Sequence, residues 1–324
     1  MRRLVIGALD SRQTEPGLIA AEEGERLAAT SGPTAGTEHI DAVPGHAHHQ
    51  NVSRASSLST DARRLKLLSF NVQAGIYSRR YSDYFTNSWK HILPHPERLA
   101  NLTRIAQLLH QFDLVGLQEV DAGSLRSAYI DQIQYLARHG AFPHWYRQVN
   151  RNLGPFAQHS NGLLSRLPPQ QITEHKLPGL PGRGAVVAEL GLSDHETLAV
   201  AIVHLALGWR ARRRQLDYLI ALSEQHPYLV IMGDFNCGCD SKGLRAMVRK
   251  AAMRGLDCEL KTFPSWRPTH NLDHILVSRP LRVVAARVVD YALSDHLPIS
   301  MTIELPEGIS FSAYEDGPDP ESAR

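Results

Sequence analysis

The sequence is poor in cysteine, in net charge and in long apolar runs, and each scarcity excludes a class of protein. Three cysteines in 324 residues are too few and too clustered for a disulfide framework, so we expect a reducing compartment, the cytoplasm. The 35 basic and 33 acidic residues leave a formal net charge of +2. The overall charge therefore does not indicate a polyanionic partner. The N-terminal apolar run 4–9 is too short for a signal-peptide core or a transmembrane segment, and we predict neither.

The two ends of the chain differ in composition from its middle. Residues 1–64 are rich in Gly, Ser, Thr, Ala, Glu and His without a lasting helical or strand period, so we predict a disordered extension. His46, His48 and His49 could hold a metal, but no second ligand cluster accompanies them. Residues 306–324 are rich in Gly, Pro and acids and are predicted to be an acidic tail.

Residues 65–305 have the sequence pattern expected of one α/β domain, in which short apolar runs alternate with amphipathic stretches. Helical spacing of apolar residues predicts helices within 99–109, 125–136 and 216–220. Buried-strand composition predicts nine strands, at 66–72, 114–118, 162–165, 185–190, 198–205, 228–232, 274–277, 282–289 and 299–304.

Polar side chains of one chemical kind recur where the apolar strands begin or end. They are Asn71, Gln118, Glu119, His204, Asp234, Asn236, Asp273, Asp295 and His296. Carboxylates at the rim of a buried sheet are costly to desolvate unless they are paired, hydrogen bonded or hold a metal. This oxygen-rich set is the kind that a hard cation such as Mg²⁺ uses.

Each of these residues has a structural explanation when it is taken alone. Asp234 and Asn236 could be turn or helix caps. Glu119 could be a first-turn acid of a helix that begins near Ser124. His204 could be a satisfied core histidine. Unrelated capping residues, however, would not be expected to occur in the order in which these polar residues follow one another along the chain.

That order resembles the endonuclease/exonuclease/phosphatase superfamily over essentially all of residues 65–305. The similarity is carried by segments 69–72, 118–120, 161–166, 203–205, 233–236, 272–278 and 294–299. Gly-Asp-Phe-Asn at 233–236 and Ser-Asp-His-Leu-Pro at 294–298 are together specific, whereas Gln-Glu-Val at 118–120 alone is not. The resemblance implies an α/β fold of two packed mixed β-sheets flanked by helices, a four-layer α/β/β/α sandwich, and metal-dependent hydrolysis of phosphoesters.

The resemblance also implies a metal centre. Glu119 would be a direct ligand of Mg²⁺, for which Mn²⁺ can substitute. Asn71 would lie close to the metal, and Asp295 would bind it directly or through water. These three residues are the predicted metal set.

The catalytic roles follow from the same resemblance. Asp234 would orient or deprotonate the attacking water, and Asn236 would donate to a phosphoryl oxygen. His296 matches the catalytic histidine of the family, and Asp273 matches the acid that fixes its tautomer. His204 would face the phosphate or the leaving group. The identity of the general base stays open.

Four residues are predicted to lie on the substrate side. Arg212 and Arg213 belong to a basic run that begins a helix, where they could meet an anion or form a solvated face. Arg183 lies in a Gly-rich loop that could approach phosphate or could be a plain turn. Asn161 precedes the Leu-Ser strand of the family. The pair Cys237 and Cys239 cannot build a four-cysteine zinc site with one other cysteine, so we expect them to be small loop residues.

The leading hypothesis is a nuclease-like, Mg²⁺-dependent phosphodiester hydrolase that acts as a monomer. The alternative substrates are phospholipid head groups or small phosphoesters, because the aromatic-rich insertion 73–96 suits a lipid, a stacked base or a partner equally, and the near-neutral chain lacks a basic stripe for DNA. A non-catalytic binding module is disfavoured because no member of the catalytic set is missing.

Overall fold

The fold was analysed in a computed structural model, which describes residues 48–49, 61–73, 96–152, 158–179, 181–255 and 257–312. The strands are β1 (His48–His49), β2 (Arg64–Asn71), β3 (Leu114–Asp121), β4 (His144–Asn152), β5 (Gln158–Ser165), β6 (Pro169–Lys176), β7 (Gly184–Gly191), β8 (Thr197–His204), β9 (Tyr228–Asp234), β10 (Met253–Arg254), β11 (Asp273–Ser278), β12 (Arg282–Val288) and β13 (Ile299–Glu304). The helices are α1 (Pro96–Leu109), α2 (Gln132–His139), α3 (Trp209–Ser223) and α4 (Lys242–Lys250), with a 3₁₀ turn at Leu125–Ser127.

The described strands form two mixed sheets. One has seven strands in the order β1-β4-β5-β3-β2-β13-β12, and the other has six in the order β10-β11-β9-β8-β7-β6. The pairs β2/β3 and β8/β9 are parallel, and the other pairs are antiparallel. The predicted fold of two packed mixed sheets flanked by helices is confirmed.

Alternating side chains explain the layers. Leu65 and Leu67 of β2 enter the core between the two sheets, whereas Leu68 and Phe70 of the same strand enter the core shared with α1 and α2. Both faces of the strand are therefore buried, which is why it reads as a continuous apolar run. Helices α3 and α4 cover the outer face of the six-stranded sheet.

The nine predicted strands are present, and the departures lie elsewhere. Strands β1, β4, β6 and β10 and helix α4 were not predicted, and β6 has no buried residue and is polar at most positions. The predicted helix at 125–136 is wrong in its first half. The carboxylate of Asp121 accepts from Ser124 N at 2.7 Å and from Ser127 Oγ at 2.8 Å, which folds this segment into a turn. Helix α2 begins only after Asp131, whose side chain caps it.

The expectation that the cysteines act only as small loop residues is also wrong. Cys239 and Cys258 form a disulfide with their Cα atoms 5.7 Å apart, and Cys237 is a buried free thiol. The bridge links the loop that follows β9 to a segment 19 residues further along the chain.

Several predictions fall on residues outside the described ones. These are most of the 1–64 extension, His46, the aromatic insertion through residue 95 and most of the acidic tail. Within the extension, the backbone of His48–His49 pairs with β4. No helix in the described part of the chain is long and apolar enough to cross a membrane.

Candidate active site

The strand ends that carry polar residues meet at one end of the two sheets. In the six-stranded sheet, His204 and Asp273 both lie opposite Asp234 in the register. Asn71 of the other sheet donates from Nδ2 to Asp234 Oδ2 at 3.2 Å. Residues separated by up to 202 positions in the chain therefore share one site, because each strand delivers its polar residue at the same end.

Asp234 lies at the centre of this cluster and is buried. Gly233 before it has φ +150°, and a Cβ there would lie 1.9 Å from Val203 O, so only glycine brings β9 this close to β8. The amide N of Asn236 donates to Asp234 Oδ1 at 2.8 Å. Burial raises the pKa of Asp234 to about 7, with His296 opposing this and Asp273 adding to it. Asp234 can therefore exchange a proton near neutral pH.

Asp273 and His296 form a buried hydrogen-bonded pair. His296 Nδ1 lies 2.8 Å from Asp273 Oδ2, and Thr262 Oγ1 donates to the same oxygen at 2.5 Å. Burial lowers the pKa of His296, but the charge of Asp273 and its hydrogen bond outweigh burial and raise that pKa to about 10. With Nδ1 directed at the carboxylate, Nε2 is the nitrogen left for chemistry.

Glu119 sits on a β-bulge. The register of β3 against β5 shifts between Leu117 and Val120, and Glu119 has φ +56°, an uncommon conformation for a non-glycine residue. The prediction that it could be a helix first-turn acid is therefore wrong, since it belongs to β3. Its Oε1 lies 3.8 Å from His204 Nε2.

His204 bridges two acids while staying buried. Its Nε2 lies 3.5 Å from Asp234 Oδ2, in addition to its approach to Glu119. The pKa of His204 is well below its ordinary value because burial, then the charges of Arg183 and His296, disfavour the imidazolium. His204 is therefore a neutral hydrogen-bonding group in this site.

Asp295 is the remaining predicted metal residue, and it is buried beside His296. Burial raises the pKa of Asp295 to about 6, His296 opposes this shift, and Glu119 adds to it. Ser294 Oγ donates to Asp295 Oδ1 at 3.1 Å. The Asp295 carbonyl accepts from Ser265 N at 2.7 Å, which fixes the turn before β13.

The cluster has the donor set of a cation site. Asp234, Asp273 and His296 place ligand atoms within 4.8 Å of one another, and Glu119 adds to the charge around Asp234 and Asp295. Asp273 Oδ1 is buried without a hydrogen-bond partner among the described residues. The carboxylate oxygens of this set fit a hard divalent cation, because the ion offsets the repulsion between them.

A pocket of about 270 Å³ opens beside Glu119 and His204. Arg183 and Asn161, two of the residues predicted for the substrate side, line it. Asn161 Nδ2 donates to Gly184 O at 3.0 Å, and its buried Oδ1 has no partner among the described residues. The lining of the pocket therefore includes a cationic side chain and a buried acceptor.

Asn236 and Arg212 both hold the loop that borders this pocket. Asn236 Nδ2 donates to Leu205 O at 2.9 Å. Arg212 Nη1 donates to Ala206 O at 3.0 Å and to Leu207 O at 2.6 Å. Arg212 therefore binds backbone carbonyls here, and neither it nor Arg213 is among the residues that line the pocket.

Sequence reasoning missed Thr262, which donates to Asp273. It also missed His159, which lines the pocket. Thr262 gives no signal, since it lies in no strand or motif and reaches Asp273 only through the tertiary fold. His159 lies two residues before the start of the quoted segment 161–166, so it could have been found beside that motif.

The fold and this site define a phosphoesterase of the two-sheet sandwich class. Residues 68–296 match the endonuclease/exonuclease/phosphatase family, so the chain belongs to that family and is a phosphoester hydrolase. The family is generally dependent on divalent metals. No curated protein matches the sequence significantly.

Solved structures of the same fold include three from different sources. A family protein from Beutenbergia cavernae is 19% identical with a TM-score of 0.57 and covers 75% of this chain and 72% of its own. A mannosyl-6-phosphatase from Bacteroides thetaiotaomicron is 17% identical with a TM-score of 0.56, covering 74% and 99%. The human nocturnin catalytic domain with bound sulfate is 16% identical with a TM-score of 0.52, covering 74% and 94%. At these identities the likeness establishes the fold.

Proposed function

We propose that the protein is a Mg²⁺-dependent phosphodiester hydrolase in which an activated water attacks phosphorus in line with the leaving oxygen. The observation that carries this proposal is the meeting of Asp234, His204 and Asn71 beside the Asp273–His296 pair. Such hydrolysis needs a positioned water, charge neutralisation at the phosphoryl oxygens and help for the leaving alkoxide. The cluster contains groups for each task.

In this proposal Glu119 and Asp295 hold the metal, with Asn71 beside it. The resemblance to the family assigns the metal to Glu119 and Asp295, and the charge of Glu119 acts on Asp295. The Asp273–His296 hydrogen bond leaves that pair for proton handling. When bound, Mg²⁺ would neutralise charge on the phosphoryl oxygens and on the leaving oxygen. Mn²⁺ would support the same chemistry, since both ions accept oxygen ligands.

Asp234 and His296 take the proton-handling roles. Asp234, with its pKa raised to about 7 by burial, would orient the attacking water and accept its proton. His296, with its pKa raised to about 10 despite burial by the charge of Asp273, would present Nε2–H to a phosphoryl or leaving oxygen. Asp273 and Thr262 are positioning residues, because they hold the imidazole without touching the substrate.

The remaining predicted residues would bind the phosphate and its substituent. Neutral His204 and the second amide proton of Asn236 would donate to phosphoryl oxygens, and the Arg183 guanidinium would balance charge from the pocket side. Asn161 Oδ1, a buried acceptor without a described partner, would accept a hydroxyl or amine of the substrate.

A second candidate is hydrolysis of small phosphoesters or of phospholipid head groups. It is favoured by the size of the pocket, about 270 Å³, because that volume suits a small polar substituent better than a stretch of polynucleotide.

A substrate panel tests both candidates on one metal-loaded preparation. We expect Mg²⁺-dependent turnover of bis-p-nitrophenyl phosphate, and the panel adds plasmid DNA, RNA, a phospholipid in vesicles and p-nitrophenyl phosphate. Polynucleotide cleavage whose binding weakens steeply with salt supports the nuclease-like form. Turnover confined to the small or lipid substrates supports the second candidate. Absence of turnover on every diester contradicts the proposal.

A further inference from the structure

A second cavity lies between helices α3 and α4, and it shares no lining residue with the pocket beside Glu119. Its volume is about 530 Å³, which is within the range of sites that bind small molecules. Nothing in the proposed hydrolysis uses it.

The inner wall of this cavity is apolar. Leu216 of α3, Met247 of α4 and the thiol of Cys237 line it and are buried. Trp209, at the start of α3, also lines it and is 63% exposed. An exposed indole beside a buried apolar wall leaves hydrophobic surface that a hydrocarbon ligand would cover.

The rest of the lining is cationic. Arg213 of α3 and Lys242 and Lys250 of α4 are exposed side chains, and none of the three has an ion pair among the described residues. Arg212 adds a fourth positive charge, and Asp217 is the one acidic residue among those that line the cavity. The balance of charge favours an anion.

We propose that this cavity binds an anionic amphiphile, a ligand with a hydrocarbon chain and an anionic head group. The chain would lie against Leu216, Met247 and the face of Trp209. The head group would lie among Arg213, Lys242 and Lys250, which as exposed long side chains can adjust to it. A bare anion leaves the apolar wall uncovered, and an uncharged hydrocarbon leaves the cations unused, so the ligand must carry both parts.

Calorimetric titration of the full chain without Mg²⁺ tests this binding. The probes are dodecyl phosphate below its critical micelle concentration and inorganic phosphate. We expect dodecyl phosphate to bind roughly tenfold or more tightly than inorganic phosphate, since burial of each methylene adds to affinity. Vesicles with and without phosphatidylglycerol are a second arm, which distinguishes a lipid in a bilayer from a free amphiphile as the source of the ligand.

Two kinds of variant assign the binding to this cavity. Ala246→Phe places a ring in the cavity from α4, and a triple variant, Arg213→Gln with Lys242→Gln and Lys250→Gln, removes the exposed cations. Each should weaken dodecyl phosphate binding roughly tenfold or more. Arg249→Gln is the matched control, because this residue is exposed on α4 but does not line the cavity. Thermal unfolding checks that each variant is folded.

The outcomes separate clearly. Tight binding of dodecyl phosphate supports the proposal if Arg249→Gln preserves it, the triple variant loses it, and Ala246→Phe, where folded, loses it as well. Additional binding to phosphatidylglycerol vesicles identifies a bilayer as one source. Equal affinity for the two phosphates, no binding of the monomeric probe, or unchanged affinity in the triple variant overturns it. None of these results depends on turnover, so they are independent of the proposed hydrolase activity.

Discussion

His296 is bonded through Nδ1 to Asp273 Oδ2 at 2.8 Å, in a setting where both side chains are buried. The two residues lie 23 positions apart, at the start of β11 and just before β13. Their contact links the six-stranded sheet to the turn that enters the other sheet. This hydrogen bond therefore connects the two sheets and also orients the proposed catalytic imidazole of His296.

The first prediction concerns stability and pH. Burial disfavours the imidazolium, but Asp273 raises the pKa of His296 to about 10, above its unfolded value. The resulting stabilisation is full below the unfolded pKa of about 6.5 and is lost as pH rises through about 10. Asp273→Asn removes it. In chelator, we expect the difference in unfolding free energy between wild type and Asp273→Asn to be larger at pH 6 than at pH 10. Urea denaturation at both pH values measures it, and a constant difference contradicts the assigned pairing.

The second prediction concerns catalysis. His296→Ala and Asp234→Asn should each lower kcat by roughly 10²-fold or more while the protein stays folded, because each removes a proton-handling group. His110→Ala and Asp257→Asn are matched controls, since both residues are exposed. Steady-state rates at saturating Mg²⁺ give the comparison. Rates of both site variants within twofold of the controls would rule out the roles proposed for these residues.

The third prediction concerns the backbone of β9. Gly233→Ala places a Cβ 1.9 Å from Val203 O at a residue with φ +150°, so we expect a loss of roughly 2–4 kcal/mol in unfolding free energy. Gly208→Ala is the matched control, because its Cβ would meet nothing within 4 Å and its φ is −75°. Urea denaturation of the two variants is the measurement, and equal stabilities would contradict the account of how Asp234 is positioned.

Most of the fold could be predicted from the sequence, because buried strands such as β8 and β9 are apolar on both faces. Strand β6 could not be predicted, because it lies at the edge of its sheet, is half exposed and contains no apolar run. The site was predicted from motifs at strand ends, and in the structure Asn71 Nδ2 and His204 Nε2 both approach Asp234 Oδ2. The partner of Arg212 could not be predicted, because a run of basic residues on a helix does not indicate whether a given side chain binds substrate or a backbone carbonyl.

The same reasoning explains the missed contacts. The pairing of Cys239 with Cys258 depends on how the chain returns after β9, and cysteine counts carry no such information. Thr262 reaches Asp273 Oδ2 from a segment without periodicity. Both contacts are consequences of tertiary structure alone.

The fourth prediction is that metal binding releases protons. Burial raises the pKa of Asp234 to about 7 and that of Asp295 to about 6, so a cation competes with protons for these carboxylates in acidic solution. The apparent Mg²⁺ affinity should therefore rise between about pH 5.5 and about pH 8. Calorimetry near pH 6.5 in two buffers of different ionisation enthalpy should report proton release. An affinity independent of pH would place the metal away from these groups.

The most direct test of the central claim is Mg²⁺ titration of diester hydrolysis by chelator-treated wild type and Glu119→Gln. The account predicts no turnover of bis-p-nitrophenyl phosphate in chelator, recovery on adding Mg²⁺, and a requirement for roughly tenfold or more Mg²⁺ in Glu119→Gln. Turnover that persists in chelator, or a Mg²⁺ dependence of Glu119→Gln that matches wild type, would contradict metal-dependent hydrolysis at this site.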